Sequence, residues 1–355
     1  MINVVSPINQ LGYGITGLNL VKSLAKQTPV CLWVLGQPQV TNQNDADLIS
    51  TCLQNRNYLD FDAPCIKIWH QNDMTQFAGR GKRIGFPIFE LDKFNDLEKH
   101  HLNSLDSIFV CSQWAKNVIL SNIDINSNDV HVIPLGIDKK IFQNDSPQNS
   151  GKTIFLNCGK WEVRKGHDIL YKIFNMAFEP SDNVELWMLC ENPFLSPNEQ
   201  KEWQNLYTKS KLGDKIKIFP RQQTQEEVYN IMSNSDCGVF PSRAEGWNLE
   251  LLEMMACGKH VITTNYSAHT EFCTRNNSKL VDIEQSELAY DGKWFHGKCG
   301  NWAKIDNNAI DQFVNHLRDI HRMKQAQNLT SNLEGVKTGE YYNWDHSARL
   351  VLSNV

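Results

Sequence analysis

Short apolar runs alternate with amphipathic stretches along the chain, and this alternation is the feature that most constrains its fold. A first series of apolar runs lies at Ile2–Ser6, Val30–Leu35, Ile66–His70, Ser107–Val110 and Val130–Ile133. A second series lies at Thr153–Cys158, Val184–Cys190, Lys215–Phe219, Cys237–Phe240 and His260–Thr263. Helical patterns separate most of them, at Thr16–Ala25, Asn95–Leu102, Trp114–Ser121, Asp168–Ala177, Glu226–Met232 and Leu249–Ala256. Strands that alternate with helices predict an α/β protein with parallel sheets built from βαβ units.

Two such series predict two domains, and a length of 355 residues also exceeds a single core of ordinary size. The polar segment Gln143–Gly151, which contains Pro, Ser and Gly and no large apolar residue, is the best linker. We therefore predict one Rossmann-like domain over residues 1–147 and a second over 148–335. A C-terminal helix within 336–355 could pack back on the first domain. Open α/β sheets bind ligands beyond the carboxyl ends of their strands, so the chemistry is expected in loops that follow strands.

Composition excludes several classes of protein. Hydrophobic residues make up 41% of the chain and charged residues 21%, which are the proportions of a globular protein. A net charge of −5 provides no global basic field for binding nucleic acid. No apolar stretch approaches the roughly 20 residues that cross a bilayer, and no signal peptide is visible. The ten cysteines form no CxxC pair, which predicts buried free thiols rather than zinc ligands. We expect a cytoplasmic protein without a bound metal, while contact with a membrane surface stays open.

The segment Gly12–Gly17 matches G-x-G-x-x-G between the first predicted strand and the first predicted helix. Backbone amides at such a turn can surround a phosphate. NAD binding would require an acidic residue at the end of the second strand, and no acid appears there before Asp45. A loop that faces phosphate or substrate is therefore the favoured interpretation, and a purely structural tight turn is the alternative.

Two later loops place charged residues after a strand. Gly159–Gly166, with the sequence GKWEVRKG, carries three cations beside a helix N-terminus, which is typical of an anion site, although a solvated basic loop has the same composition. In Pro241–Gly258, Glu245 precedes a helix and Glu253 lies about one turn into it, on a partly apolar face. A carboxylate on such a face needs hydrogen-bond donors, and the vicinal hydroxyls of a sugar or ribose would supply them. An exposed acidic helix start is the alternative.

Together these segments resemble the retaining GT-B glycosyltransferases of family four. Glu245–Gly258 is similar to the E-x7-E segment of that family, E-G-F-G-L-P-x-L-E-A-M-A-C-G, and Gly159–Gly166 is similar to its G-R-x-x-x-x-K-G. Further segments agree in the right order, at Val132–Asp138 with Phe142, Pro87–Asp92 and Asp106–Ser112. The resemblance covers most of the chain from Ile2 to about Leu280, and it is most specific in the second half.

The resemblance implies two Rossmann-like domains that face each other across a cleft. It implies no metal and no cofactor, but a nucleoside diphosphate sugar as co-substrate. Lys160 and Lys165 would meet the donor diphosphate, Glu253 the ribose, and Glu245 the donor sugar. The implied catalytic set is Glu245, Lys160, Lys165, His70 and Glu90. The implied donor-binding set is Gly14, Arg164, Arg221, Gly246, Trp247, Asn248, Leu249 and Glu253. Within the first domain, Gly14, His70 and Glu90 would face the acceptor and the sugar.

The chain departs from the family pattern at three positions and in one segment. Lys160 replaces an Arg, Asn248 a Gly and Glu250 a Pro. After Val281 the pattern weakens, and the aromatic segment Trp294–Trp302 is either a loop specific for acceptor or donor or a packed surface loop.

The predicted function is transfer of a sugar, with retained configuration, from a nucleoside diphosphate sugar to a hydroxyl acceptor that could be a glycan, a lipid or a small molecule. Front-face displacement, in which the leaving phosphate helps to remove the acceptor proton, is the mechanism that the resemblance implies. Alternatives are a nucleotide-sugar epimerase of the same fold, a non-catalytic nucleotide-sugar-binding protein, and a hydride-transfer enzyme. The residues do not indicate the base, the sugar, the acceptor, the linkage or the oligomeric state.

Two further motifs have structural interpretations. Asp45-Ala46-Asp47 spells D-x-D, but it follows Asn42 at a helix start, which predicts helix capping. Thr224–Glu227 predicts a capping box and carries no chemistry.

Overall fold

The computed structural model describes residues 1–144 and 151–355. These residues form two compact units, one made of Met1–Asp138 with Tyr341–Val355 and the other of Lys139–Glu340. The predicted linker falls largely on residues 145–150, outside the described residues. The predicted domain boundaries at 147/148 and 335/336 therefore stay predictions.

The strands, in chain order, are β1 (Ile2–Ser6), β2 (Val30–Val34), β3 (Cys65–Ile68), β4 (Arg83–Phe86), β5 (Ser107–Val110), β6 (Val130–Val132), β7 (Thr153–Gly159), β8 (Val184–Cys190), β9 (Ile216–Phe219), β10 (Cys237–Phe240), β11 (His260–Thr264), β12 (Lys279–Val281), β13 (Ser286–Tyr290) and β14 (His296–Ala303). The helices are α1 (Gly12–Ala25), α2 (Gln43–Gln54), α3 (Asp96–Leu102), α4 (Gln113–Asn122), α5 (His167–Ala177), α6 (Pro197–Thr208), α7 (Gln225–Ser233), α8 (Leu249–Ala256), α9 (His269–Phe272), α10 (Asn307–Gln325), α11 (Leu333–Tyr341) and α12 (Trp344–Asn354).

Each unit contains a six-stranded sheet in which every pairing is parallel. The strand order is β2-β1-β3-β4-β5-β6 in the first unit. It is β12-β11-β10-β7-β8-β9 in the second. The direction of winding changes between β1 and β3 in the first sheet and between β7 and β10 in the second. Ligands of doubly wound sheets bind at such switch points, beyond the carboxyl ends of the strands. The predicted α/β fold with two Rossmann-like sheets is confirmed.

Buried apolar strands hold these sheets between helices. All five residues of β1 are buried, as are six of the seven in β8, which is the continuous pattern of a parallel sheet covered on both faces. In the second unit, Phe155 and Leu186 of the sheet pack with Phe174 of α5 and Leu317 of α10, and all four are fully buried. These cores fix the strand ends from which the functional loops leave.

The C-terminal segment completes the first unit. Helix α12 packs on α1, where the Lys26 ammonium lies 2.7 Å from the Asp345 carboxylate. Ser347 Oγ donates to the Pro134 carbonyl at 2.6 Å, and Ala348 and Val351 are fully buried. The segment is therefore part of the core of this unit.

One element stands apart from both large sheets. Strands β13 and β14 form an antiparallel hairpin, which includes most of the aromatic segment noted in the sequence. Nine of the ten cysteines are buried free thiols, as predicted, and Cys299 in the hairpin is partly exposed. Among the described residues, no helix combines the length and the apolar character needed to cross a membrane.

Candidate active site

The two charged loops predicted from the sequence meet at the switch point of the second sheet. β7 pairs directly with β10, so the Gly159–Gly166 loop and the Pro241–Asn248 loop leave neighbouring strand ends. The backbone amide of Arg243 donates to the Arg164 carbonyl at 2.7 Å. A Cβ atom on Gly166 would lie 2.1 Å from the Pro241 carbonyl oxygen, so glycine is required for this approach. Two segments about 80 residues apart in sequence thus form one surface.

The Glu245 carboxylate is bound on both of its oxygens. Oε2 accepts from the Arg164 guanidinium at 2.7 Å, and Oε1 accepts from the Lys165 ammonium at 3.0 Å and from Ser242 Oγ at 2.9 Å. Burial alone would raise the pKa of Glu245, but Arg164 and Lys165 hold it well below its usual range. Burial would also lower the pKa of Lys165, whereas Glu245 and Glu250 raise it above its usual value. Both partners are therefore charged in the folded protein.

Glu162 extends this arrangement into an alternating ion cluster. Its carboxylate lies 2.8 Å from the Arg164 guanidinium and 3.0 Å from the Lys160 ammonium. The Lys160 side chain is 37% exposed, whereas the Arg164 and Lys165 side chains are only 6% and 9% exposed. Three cations and two carboxylates leave one net positive charge. Lys160 is the cation of this cluster that an incoming anion can reach most easily.

Glu253 is a buried carboxyl without a polar partner. It lies in α8 with 5% exposure, and its side chain makes no hydrogen bond or ion pair within the described parts of the chain. Burial, and secondarily Glu250, raise the pKa of Glu253 well above its usual value. Burying a polar group without a hydrogen bond is costly, so this carboxyl is positioned to accept hydrogen bonds from a ligand. The predicted location on an apolar helix face is confirmed.

Asn248 lies at a backbone position with a left-handed conformation, which favours glycine or asparagine. Its φ of +84° is left-handed, a conformation that asparagine adopts more readily than most residues. Its Oδ1 accepts from the Leu251 amide at 3.2 Å and so caps α8, while its Nδ2 lies 2.9 Å from His269 Nε2. Burial lowers the pKa of His269 to about 4, so this ring is neutral at physiological pH. The substituted side chain therefore serves as a helix cap.

The remaining donor-binding residues predicted in this loop are buried around α8. Trp247 is 2% exposed, and its ring lies 4.8 Å from that of Phe272, measured between centroids. Gly246 and Leu249 are buried as well. Arg221 follows β9, which β8 separates from β7, and its amide donates to the Glu191 carboxylate at 3.1 Å. The ligand contacts predicted for these residues stay predictions.

In the first unit, the predicted residues His70 and Glu90 lie beside Tyr13 at the switch point. Tyr13 follows β1 and packs against Trp69 and His70, which follow β3, with ring centroids 5.5 Å and 4.7 Å away. The Tyr13 hydroxyl donates to the Ile88 carbonyl at 2.7 Å and accepts from its amide at 3.1 Å. Burial and then the Glu90 carboxylate raise the pKa of Tyr13, so Glu90 also lies near this group. His70 is exposed.

Gly14 allows helix α1 to approach the preceding loop. A Cβ atom there would lie 2.2 Å to 2.5 Å from Asn9, whereas one on Gly12 would meet nothing within 4 Å. Steric fit therefore accounts for at least one glycine of the G-x-G-x-x-G segment, and a phosphate contact stays a prediction.

Sequence reasoning missed three residues that organise the second site. Glu162 joins two of the predicted cations, Ser242 binds Glu245, and Arg243 pairs with the Asp168 carboxylate at 2.8 Å. The sequence GKWEVRKG places Glu162 between cations, and this pattern could have predicted that Glu162 pairs with them. No comparable signal distinguished Arg243.

The motifs predicted to be structural are confirmed as such. Asn42 Oδ1 accepts from the Asp45 amide at 2.9 Å, and Asp45 pairs with Lys22. Thr224 and Glu227 form the predicted capping box of α7. No group of three or more His, Cys, Asp or Glu side chains suited to a metal occurs in the described ranges.

Comparisons with known proteins identify glycosyltransferases as similar in sequence and in fold. Residues 138–289 match the family described as Glycosyl transferases group 1. An uncharacterized glycosyltransferase of Methanocaldococcus jannaschii is 31% identical over 228 residues, which cover 58% of each chain. The chain spans between 41% and 72% of the length of the curated relatives that it matches.

Solved structures share the fold across the whole chain. A sucrose-phosphate synthase of Thermosynechococcus elongatus superimposes with a TM-score of 0.72 at 16% identity, covering 99% of this chain and 97% of its own. An Anabaena protein in complex with UDP and glucose gives a TM-score of 0.67 at 14% identity, covering 99% and 98%. The chain therefore shares the two-sheet fold of these solved structures, and residues 138–289 resemble the group 1 glycosyl transferases.

Proposed function

We propose that this protein transfers a glycosyl group from a nucleoside diphosphate sugar to a hydroxyl acceptor, with retained configuration and without a bound metal. The observation that carries the proposal is the position of Glu253. This buried carboxyl has no polar partner among the described residues, and it lies in the helix that follows the loop of Glu245, beside a cation cluster at a sheet's switch point. A nucleoside diphosphate suits both groups. The vicinal hydroxyls of its ribose can bind the Glu253 carboxyl, and its negatively charged phosphates can bind the cations.

The ion cluster suits a departing diphosphate. Negative charge grows on the leaving phosphate as its bond to the sugar breaks, and fixed cations stabilise that charge most when they need not reorganise. Arg164 and Lys165 are held in place by Glu245, while Lys160 keeps an exposed ammonium. In this proposal the protein's own cations do the work that a divalent metal does in other transferases.

Glu245 acts in this proposal as a positioning residue for these cations. Both of its oxygens are already bound, so we assign it no role as a covalent nucleophile. The acceptor oxygen then attacks the anomeric carbon on the face from which the diphosphate leaves. One carbon–oxygen bond forms as the bond to phosphate breaks, and the acceptor proton passes to a phosphate oxygen. Predicted roles for His70 and Glu90 at the acceptor belong to the same proposal.

Nucleotide binding provides the first test. UDP is the first nucleotide to try, because the Anabaena relative in fold was solved with it, followed by GDP, ADP and dTDP. A ligand at about 100 times its dissociation constant should add about 2.7 kcal/mol of stability, which a thermal shift resolves. Glu253→Ala should abolish that shift. Glu226→Ala, at an exposed glutamate in α7 of the same unit, should leave it intact.

Turnover then separates the classes of activity. With the stabilising nucleotide attached to candidate sugars, proton NMR of the product reports the anomeric configuration, and excess EDTA should leave the rate unchanged. Inversion of configuration, or loss of activity in EDTA, would contradict the proposed chemistry. Donor consumption without any acceptor would instead favour an epimerase or a hydrolase.

A further inference from the structure

A groove of about 660 Å³ lies in the second unit beside the ion cluster. It is bordered by the start of the Gly159–Gly166 loop, by α6 and by the turn that joins β13 to β14. Trp161, Trp203 and Trp294 line it, which are three of the ten tryptophans in the chain. We term it the tryptophan groove. Its volume lies in the range of small-molecule sites.

The exposed aromatic surface comes from Trp294 and its neighbour Phe194, whereas Trp161 is buried against Trp203. The rings of Trp161 and Trp203 are nearly parallel, with an angle of 6° between their planes and 6.0 Å between centroids. At the rim, Trp294 is 47% exposed and Phe194 is 54% exposed, and their rings lie 6.2 Å apart. An exposed aromatic face carries negative charge density and attracts C–H groups. The C–H face of a pyranose ring has the matching shape and polarity.

Polar groups around these rings have unused hydrogen-bonding capacity. Trp161 is 1% exposed, and its indole N–H has no partner among the described residues, although buried indole N–H groups usually have one. Glu202 is exposed and forms no hydrogen bond or ion pair with any described residue. A ligand with hydroxyl donors would satisfy the exposed Glu202 carboxylate, whereas the Trp161 N–H is buried away from the surface of the groove.

Charge narrows the choice of ligand. Four acidic residues, Glu162, Glu199, Glu202 and Asp291, line the groove with one cation, Lys293. Glu162 and Glu199 are paired with cations, and Glu202 and Asp291 form no ion pair with any described residue. This balance opposes nucleic acids and anionic lipid headgroups. It favours a neutral ligand with many hydroxyl groups.

The turn of the hairpin is held rigidly at the groove. Lys293 pairs with Glu199 at the start of α6, with 2.5 Å between the ammonium and the carboxylate. Asp291 Oδ1 accepts from the amides of Lys293 and Trp294 at 2.8 Å and 2.7 Å, which fixes the backbone of the turn from which the indole projects. A rigid aromatic anchor loses little conformational entropy when it binds a ligand.

The base of the hairpin is joined to the loop of Glu245. The Ala303 amide donates to the Arg243 carbonyl at 2.9 Å, and the Arg243 guanidinium lies 5.8 Å from the centre of the Trp302 ring. At the other end, the Lys160 ammonium lies 5.4 Å from the centre of the Phe194 ring. Glu162, which lines the groove, also pairs with Lys160 and Arg164, so the groove lies next to the cations that the proposed function assigns to the donor.

We propose that the tryptophan groove binds a neutral oligosaccharide, as the part of the acceptor that is remote from the reacting hydroxyl. The proposal rests on the proposed function for the role of the bound sugar as acceptor. Binding itself needs no turnover, so it can be measured separately. It assigns the acceptor to the class of glycans rather than lipids or small molecules.

Affinity electrophoresis measures this binding with defined probes. Native gels containing soluble starch, hydroxyethyl cellulose, galactomannan or xylan should retard the wild-type protein in at least one case. Trp294→Ala should weaken that retardation about tenfold, because the main exposed stacking face is lost. Trp294→Phe should keep most of it. Tyr58→Ala, at a 78% exposed aromatic residue of the first unit, should match the wild type.

A second variant covers the chance that the hairpin unfolds in Trp294→Ala. Glu202 makes no bond within the described protein, so Glu202→Gln should fold normally and still weaken retardation. Retardation that is absent for all four polysaccharides, or equal in both variants and the wild type, overturns the proposal. Sedimentation of wild type but not Trp294→Ala with phosphatidylserine vesicles, without polysaccharide binding, overturns it in favour of a membrane surface.

The two proposals fail in distinguishable ways. Glu253→Gln should lose the nucleotide-induced thermal shift and keep the retardation by polysaccharide. A wild-type protein that binds nucleotide and no polysaccharide refutes the groove alone. One that binds polysaccharide and no nucleotide refutes the proposed function, and with it the role of the sugar as acceptor.

Discussion

At the switch point of the first sheet Tyr13, Trp69 and His70 meet ring to ring, whereas at that of the second sheet Glu245, Arg164 and Lys165 form a buried ion cluster. Both sheets are parallel and six-stranded, so the topology supplies the same kind of place in each unit. The loops that leave the strands supply different chemistry. Aromatic rings suit a neutral ligand and fixed cations suit an anionic one, which agrees with the proposed roles of the first switch point toward the acceptor hydroxyl and of the second toward the diphosphate. Function here is thus decided by loop residues on a shared fold.

Removing the Glu245 carboxylate, which the cations of the cluster share, should lower the free energy of unfolding more than any other change proposed here. Glu245→Ala leaves the buried cations Arg164 and Lys165 without their common partner. Breaking a buried ion pair in this way lowers the free energy of unfolding by about 3–5 kcal/mol. Guanidinium unfolding followed by circular dichroism would measure it. Asp62→Ala, which breaks the exposed pair with Arg80 in the first unit, should leave the midpoint unchanged. Equal midpoints for the two variants would mean that the cluster has no structural role.

Glu253→Gln should separate stability from donor binding. Because burial raises the pKa of Glu253, the folded protein keeps a proton that the unfolded chain releases above about pH 4.5. At low pH both states are protonated, so the buried carboxyl does not lower the free energy of unfolding. That free energy then falls as pH rises toward the raised pKa of Glu253. The free energy of unfolding of Glu253→Gln should therefore rise relative to that of the wild type by up to about 1.4 kcal/mol per pH unit over this window. Unfolding curves without nucleotide, from pH 4.5 to pH 8, would test this.

The same variant should lose the nucleotide-induced shift while gaining stability. A glutamine amide cannot ionise, so it cannot become the carboxylate whose two oxygens would accept hydrogen bonds from paired ribose hydroxyls. If the variant instead becomes less stable with rising pH than the wild type, then the carboxyl has a partner that compensates its burial.

The smallest change in the free energy of unfolding is expected in the first unit, where a single methyl group is added. Gly14→Ala places a Cβ atom 2.2 Å to 2.5 Å from Asn9, which forces α1 away from its loop. We expect a loss of about 1–3 kcal/mol, typical of overpacking. Gly12→Ala has open space around the added methyl group and should be neutral or slightly stabilising. A nucleotide shift that survives Gly14→Ala would sharpen the comparison, because it would assign donor binding to the second unit.

Much of the architecture could be predicted from local pattern. The bounds of β1, β5, β8, β10 and α8 agree with the predicted runs, because each is a buried run with clear polar ends. Strand β4, Arg83–Phe86, was missed, since it is short and carries an arginine and a glycine. Its strand conformation depends on pairing with β3 and β5 on both sides. Helix α10 was also missed, although its buried residues Ala309, Phe313, Leu317 and Ile320 recur at helical spacing.

The types of residue in the site were predictable, and their pairing was not. Cations after β7 and carboxylates after β10 were evident from the strand-end positions of their loops. Both oxygens of Glu245 are bound by cations, whereas Glu253 has no partner among the described residues. This difference depends on side-chain geometry across two loops. The groove likewise joins residues from α6 and the hairpin, about 90 positions apart in sequence. Distances of that kind carry no signal in a local pattern.

The return of the chain from the second unit to the first affects the order of folding during synthesis. Residues 139–340 emerge from a ribosome as one uninterrupted stretch, so the second unit can fold as soon as they are available. The first unit has to wait, because the α12 residues that cover α1, among them Ala348 and Val351, are translated after all of the second unit. Until then α1 leaves apolar surface open to chaperones. Of the two units, the one whose synthesis starts first is therefore completed last.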